Sequence, residues 1–193
     1  MKGTDILVVG GGNSGAQIAV ELAKDNNVTI AVGHKFKFLP LKFLGRSIFS
    51  WLEIFGLLYA GTDTLKGKWF RKQNDPIFGK ELKSLIRNKK VDVKPKVTHV
   101  VNTEVHFIDK SWNKYTSIIW ATGFVPYYDW INIKGVISND GKPIHNRGIT
   151  NINGLYFIGI PWQYQRGSGL ICGVSLDSKY LVSTIISNVS KNK

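Results

Sequence analysis

The chain has 193 residues and is 43% hydrophobic, enough for one sizeable core or about one and a half domains. Its formal charge of +13 is scattered rather than gathered on one helix or interleaved with stacking aromatics, which argues against nucleic-acid binding. The single cysteine, Cys172, excludes an intramolecular disulfide, and its apolar surroundings predict a small buried side chain. The longest apolar run is too short to span a bilayer and no signal peptide is recognisable, so we expect a cytoplasmic protein without a membrane partner.

The first predicted elements are a strand and a helix joined by a glycine-rich turn. Ile6–Val9 is a β-type apolar run, and Ala16–Lys24 carries apolar residues at helical spacing. The turn between them follows the G-x-G-x-x-G pattern, in which the glycines permit a sharp turn, close approach of a pyrophosphate and tight helix packing. Such turns also close ordinary βα units, but this context favours a dinucleotide site. The predicted cofactor-binding residues of this loop are Gly10, Gly12, Asn13, Ser14 and Gly15.

The residues after the second predicted strand, Asn27–Val32, indicate which dinucleotide is bound. An NAD site usually places Asp or Glu here to bind the ribose 2′-hydroxyl, yet no carboxylate occurs from Val28 to Leu52. His34 and Lys35, followed by Lys37, instead form a cationic cluster suited to a 2′-phosphate. A solvated basic turn is the alternative. The pattern favours NADP over NAD.

The middle of the chain is predicted to contain short elements and one polar excursion. They are a helix over residues 47–58, a polar and basic loop over 62–74, a helix from Pro76 to about Asn88, and a hairpin of Val97–Val101 with Glu104–Ile108.

The last third is predicted to contain two apolar strands and a terminal helix. Ser117–Trp120 leads into the small residues Ala121–Gly123, and Leu155–Ile158 leads into a glycine-rich segment. Residues 170–189 then read as a long helix. The second strand, glycine turn and helix again suggest phosphate-loop geometry, with less specificity than the first.

Four segments together resemble the flavin-containing monooxygenase-like oxidoreductases, which use NADPH and FAD. These segments are Val8–Leu22, Val32–Lys35, Ala121–Phe124 and Gly159–Gln163. The resemblance implies an α/β fold, with a Rossmann-type three-layer NAD(P)-binding domain over residues 1–123. It also implies that residues 124–193 are the closing part of a split FAD-binding domain.

The resemblance also implies roles for residues outside the first loop. Ala121, Thr122 and Gly123 would join the two domains, and Gly159, Trp162 and Gln163 would lie near the flavin. For Ala121, Thr122 and Gly123, the structural alternative is a tight exit from the strand. For the segment with Trp162 and Gln163, it is an aromatic loop that packs on the terminal helix. No residue emerges as a catalyst, and the four histidines lack the spacing of metal ligands, so no metal site is expected.

The implied activity is NADPH-dependent, flavin-mediated oxidation. The opening FAD half of the family, with its own glycine loop, has no counterpart in this sequence. We therefore expect the chain alone to hold FAD poorly, and to expose apolar residues such as Trp162, Tyr164 and Leu170. It would then self-associate or bind a chain that supplies the other half. The alternative is an NADP-binding module or degenerate fragment without independent catalysis.

Overall fold

The computed structural model describes residues 3–73 and 75–191. It divides into a first unit, Met1–Ile48 with Asn74–Phe124, and a second unit, Phe49–Gln73 with Val125–Lys193. The assignment of residues 1–123 to NADP binding and 124–193 to FAD binding stays a prediction.

The described residues form eleven strands and five α-helices. The strands are β1 (Asp5–Val9), β2 (Asn27–Ala31), β3 (Phe38–Leu39), β4 (Lys42–Phe43), β5 (Arg46–Ser47), β6 (Ile77–Phe78), β7 (Val91–Lys94), β8 (Val97–Val101), β9 (Glu104–Phe107), β10 (Trp112–Lys114) and β11 (Ser117–Trp120). The helices are α1 (Asn13–Leu22), α2 (Ile48–Ile54), α3 (Leu65–Arg71), α4 (Glu81–Arg87) and α5 (Ile171–Lys191). A 3₁₀ turn spans Arg166–Gly169.

The first unit is built on a parallel sheet in the order β11-β1-β2-β7. Successive residues of β1 point to opposite faces, and both faces are covered, which explains why this strand is almost entirely apolar. Val8 packs with Ala16 and Ala19 of α1 in one cluster. Leu7 packs with Phe107 in the other, which includes residues of the antiparallel sheet β10-β9-β8. The predicted α/β fold with three layers is confirmed, and one outer layer consists of strands.

The second unit is organised around α5 and the 3₁₀ turn before it. Gly167 and Gly173 let these two elements approach closely, since a Cβ added at Gly167 would lie 3.2 Å from the Cα of Gly173. Val136 and Leu181 are buried, and so are the polar side chains of Gln163, Gln165, Ser168 and Asp177. This unit therefore has an unusually polar interior.

Several predicted elements are confirmed with small shifts at their ends. The hairpin is β8 with β9, and its turn residue Asn102 has a φ of 55°. The predicted helix over 47–58 ends earlier, before Gly56, whose φ is 65°. The terminal helix extends to Lys191.

Three predictions about elements were wrong. The stretch 62–74 contains α3, which Thr64 caps by accepting a hydrogen bond from the Gly67 N–H at 3.0 Å. Ile77–Phe78 is extended rather than helical, because it pairs with β3. Leu155–Ile158 joins none of the described sheets, and its Tyr156 makes an isolated bridge to Ile149. The second suggested phosphate loop therefore lacks its strand.

The expected burial of Cys172 was also wrong. The cysteine is exposed in the first turn of α5, next to the almost fully exposed Ile171. This apolar stretch faces solvent there instead of the core.

Candidate cofactor site

Two loop glycines are required by contacts within the first unit. Gly10 has a φ of 127°, and an added Cβ would collide with the carbonyl oxygen of Ala121. A Cβ on Gly15 would collide with the carbonyl oxygen of Gly10. Glycine at these positions lets β1, β11 and the start of α1 come together.

Gly12, in contrast to these two glycines, is not required by close packing. It is the N-cap of α1, with a φ of −82° that any residue can adopt, and no described atom lies within 4 Å of a Cβ built there. Within residues 3–73 and 75–191, no side chain caps this helix. The first N–H groups of α1 therefore face open space, where the helix dipole favours an anion. This cradle fits a pyrophosphate.

Asn13 and Ser14 begin α1 on the same edge. The Nδ2 of Asn13 donates to the Pro76 carbonyl at 2.8 Å, and its Oδ1 accepts from the Phe78 N–H at 2.9 Å. Asn13 thus ties the loop to β6, while Ser14 is exposed in the first turn. The sequence pattern gave no sign of the bond to β6, because its partners lie more than 60 residues away.

The cationic cluster lies at the end of β2. His34, Lys35 and Lys37 are all exposed. Lys96 adds to the cluster, because its side chain lies about 4.0 Å from a Cβ built on Gly33. Sequence reasoning missed Lys96, which only the parallel pairing of β2 with β7 brings to this place. Since the carboxyl ends of parallel strands share one edge, the cluster and the glycine loop occupy the same side of the sheet.

Ala121, Thr122 and Gly123 follow β11 at this same edge. The Ala121 N–H donates to the Val9 carbonyl at 2.8 Å, which extends the pairing of β1 with β11. Gly123 has a φ of 88° and open space around it. The structure therefore brings Ala121, Thr122 and Gly15 next to Gly10.

The remaining predicted residues lie in the second unit, where Trp162 and Gln163 line a cavity of about 600 Å³ and Gly159 does not. Gly159 has a φ of 80°, and Trp162 has a φ of 60°, which is rare for a bulky residue and marks local strain. Gln163 is buried. Its Oε1 accepts from the Ile160 N–H at 3.3 Å, while its Nε2 has no hydrogen-bond partner among the described residues.

The aromatic residues of this segment are less exposed than expected. Leu170 is exposed, but Trp162 and Tyr164 are half-buried. The Trp162 ring packs edge-on against Phe70, with centroids 6.1 Å apart, and Tyr164 stacks on Arg147. Packing inside the second unit covers these two rings.

Arg147 forms a partly buried cluster that the sequence did not reveal. Its guanidinium lies between the rings of Tyr164 and Tyr180, 3.8 and 4.0 Å from their centroids. Its Nε lies 4.0 Å from an oxygen of Asp177, whose side chain is fully buried. Neither oxygen of Asp177 has a hydrogen-bond partner within the described part of the chain. The pair is thus held by charge and ring stacking.

His145 lines the same cavity. Its Nδ1 accepts a hydrogen bond from the Gly148 N–H at 3.2 Å. Burial lowers the pKa of His145 below its ordinary value of 6.5, which favours the neutral ring.

The described residues contain neither a helix that could cross a bilayer nor a cluster of metal ligands. None of their helices is both long and apolar enough to cross a bilayer. Within the same residues, no three His, Cys, Asp or Glu side chains gather as metal ligands would.

The chain has close sequence relatives, although no family model matches it. It is 50% identical over 183 residues to an uncharacterized oxidoreductase, CzcO-like, of Geobacillus kaustophilus, covering 95% of this chain and 53% of that protein. It is 47% identical over 178 residues to the uncharacterized oxidoreductase CzcO of Bacillus subtilis, covering 92% and 52%. The chain therefore spans about half the length of the curated relatives it matches.

A solved structure shares the fold. The flavin-containing monooxygenase from Stenotrophomonas maltophilia matches with a TM-score of 0.68 and 19% identity, over 97% of this chain and 51% of that one. These relatives and this fold confirm the resemblance predicted from the motifs: the chain is similar in sequence to oxidoreductases of the CzcO type and shares the fold of a flavin-containing monooxygenase.

Proposed function

We propose that this chain is the NADPH-binding portion of a flavin-dependent oxidoreductase of the monooxygenase-like class. The observation that carries the proposal is the sheet edge of the first unit. There, the open Gly12 and the uncapped start of α1 lie on the same side as an exposed cationic cluster. NADPH carries both a pyrophosphate and a 2′-phosphate, and the 2′-phosphate distinguishes it from NADH.

Each part of that edge has a proposed role. The N–H groups at the start of α1 bind the pyrophosphate, with Ser14 beside them and Asn13 fixing the loop. His34 and Lys35, supported by Lys96, bind the 2′-phosphate. Ala121, Thr122 and Gly123 line the exit of β11 next to the loop.

The second unit offers residues that fit a flavin. The Nε2 of Gln163 is a buried donor without a described partner, and a flavin ring carries acceptor atoms along its edge. Gly159 and Trp162 belong to the same turn. The chemistry that a flavin supplies when bound is acceptance of hydride and reaction with oxygen. In this proposal the protein binds, orients and shields the cofactors.

Calorimetric titration of NADPH and NADH tests the cofactor choice. We expect NADPH to bind roughly ten- to a hundredfold more tightly, because a charge-assisted contact to the 2′-phosphate contributes about 1.5–3 kcal/mol. Lys35→Ala should narrow this ratio by weakening NADPH binding alone. Lys24→Ala is the matched control: this exposed lysine follows α1, at the opposite edge of the sheet, and should leave both affinities unchanged. Equal affinities of the wild-type chain for the two cofactors would refute the NADP assignment.

The second candidate is an NADP-binding module that does not turn over by itself. It is favoured by one observation: the described residues contain a single G-x-G-x-x-G loop, whereas NADPH and FAD each need a pyrophosphate site. A partner chain or self-association would then supply the second site. Flavin absorbance of the purified chain, and NADPH oxidation with added FAD, distinguish the two candidates. Stoichiometric bound flavin with steady NADPH consumption would exclude the module.

A further inference from the structure

The cavity of the second unit is lined by a cationic side chain that its neighbours hold in place. The cofactor roles proposed above do not use this side chain. Arg147 lines this cavity, and its side chain is 27% exposed. Both faces of its guanidinium are covered by tyrosine rings, and its Nε points toward Asp177. The edge of the guanidinium that carries its two NH2 groups is therefore left for a ligand. A carboxylate can accept two parallel hydrogen bonds from such an edge.

The backbone around the cavity is strained in two places. Arg147 has a φ of 50° and Trp162 a φ of 60°, both in the left-handed region that bulky residues rarely adopt. Backbone strain of this kind clusters at ligand sites. The fold thus maintains an unfavourable conformation at two residues of one cavity wall.

The cationic side chains around the cavity differ in how firmly they are held, and Asp177 behind the wall balances part of their charge. The lining contains three cationic side chains, Arg71, Lys142 and Arg147, and two carboxylates, Asp63 and Asp140. Asp140 is engaged with Lys142 at 2.5 Å. His145 is disfavoured as a cation by its burial. Arg147 is the cation that the walls hold in a fixed position.

The rest of the lining is suited to an apolar body. It includes Tyr128, Trp162, Val125, Ile160 and Pro143. A volume of about 600 Å³ is within the range of small-molecule sites. A ligand with an aromatic ring and a single carboxylate would satisfy both the apolar walls and Arg147.

We infer that this cavity binds a small aromatic carboxylate, with Arg147 binding the carboxylate group. The assignment of that ligand as the molecule oxidised rests on the proposed function, but the binding itself does not. Asp177 acts as a positioning residue, since it orients the guanidinium from the buried side without lining the cavity.

The test uses phenylacetate, its neutral amide phenylacetamide, and acetate, each titrated into the whole chain and followed by NMR. We expect phenylacetate to bind at least about tenfold more tightly than the other two. Arg147→Met should abolish this preference for the carboxylate. Lys179→Met, which removes an exposed cation of α5, is the matched control and should preserve it.

Arg147→Met alone could fail to fold, because it leaves Asp177 buried without a counter-charge. The double variant R147M/D177N removes both charges and keeps the test decisive. If the folded double variant still prefers phenylacetate over phenylacetamide, the inference is wrong. Equal binding of phenylacetate and its amide to the wild-type chain would also overturn it.

The NADPH titration of the same samples separates this inference from the proposed function. Arg147 belongs to the second unit, so its variants should bind NADPH as the wild type does. Loss of phenylacetate selectivity with intact NADPH binding supports the carboxylate site. A wild-type chain that binds phenylacetate but not NADPH would refute the proposed function alone.

Discussion

At the scale of single residues, the second unit depends on a charge pair that has little hydrogen bonding to support it. Asp177 is fully buried and lacks hydrogen-bond partners among the described residues, while Arg147 reaches the cavity. Removing one member of a buried ion pair is costly, because the other charge remains desolvated. The loss of folding stability should therefore depend on which member of the pair is replaced.

We predict that Arg147→Met destabilises the chain more than Asp177→Asn does. The first change leaves a buried carboxylate without a cation and should cost about 3–5 kcal/mol. The second leaves a cation that is already partly solvated, so its cost should be smaller. Urea unfolding, with the R147M/D177N double variant as the control for coupling, measures both. An equal or smaller loss for Arg147→Met would show that Asp177 does not depend on Arg147.

At the scale of elements, the loop from His145 to Gly148 depends on a neutral histidine. Gly148 has a φ of 89°, and its N–H donates to the Nδ1 of His145. A protonated ring has no acceptor at this atom, and burial already lowers the pKa of His145. The unfolded chain, with the ordinary pKa of 6.5, therefore takes up a proton more readily than the folded chain.

We predict that stability falls as pH decreases below about 6.5 and through the lowered pKa of folded His145. Above that range the contribution of the neutral ring is fully present. His145→Asn supplies an acceptor that does not titrate, so its thermal midpoint should fall less between pH 7 and pH 5 than that of the wild type. Parallel pH profiles for the two proteins would contradict this role for His145.

The elements also show which parts of the fold can be predicted from sequence. The strand, loop and helix from Ile6 to Leu22 were predictable, because short-range apolar periodicity and glycine spacing determine them. The extended state of Ile77–Phe78 was not, because it depends on pairing with β3 and on the hydrogen bond that the Phe78 N–H donates to Asn13. Leu155–Ile158 has the composition of a strand, but an apolar run becomes a strand only when another strand pairs with it.

The residues of the candidate site also differ in whether they could be predicted from the sequence. Gly10, Gly12 and Gly15 were predictable from their spacing, and His34 and Lys35 from their position after β2. Lys96 and Arg147 were not, since the first needs the sheet order and the second a contact with α5. Spacing within one loop can be seen in the sequence, whereas convergence of distant segments cannot.

At the scale of the whole molecule, two compact units carry two kinds of site. The first unit presents the glycine loop and the cations, and the second presents the cavity with Gln163 and Arg147. Under the proposed function, NADPH binding is a property of the first unit. It then requires that the open space at Gly12 accommodates the ligand.

Titration of NADPH into Gly12→Val tests that central claim most directly. A Cβ built here has no atom within 4 Å apart from its chain neighbours, so we expect the thermal midpoint to remain close to that of the wild type. The side chain would occupy the space of the pyrophosphate, and we predict that NADPH binding falls by at least about a hundredfold. Gly15→Ala is the contrasting control: its Cβ collides with the Gly10 carbonyl, so it should lower the thermal midpoint itself. Wild-type affinity for NADPH in a folded Gly12→Val chain would contradict the account and make the loop a structural turn only.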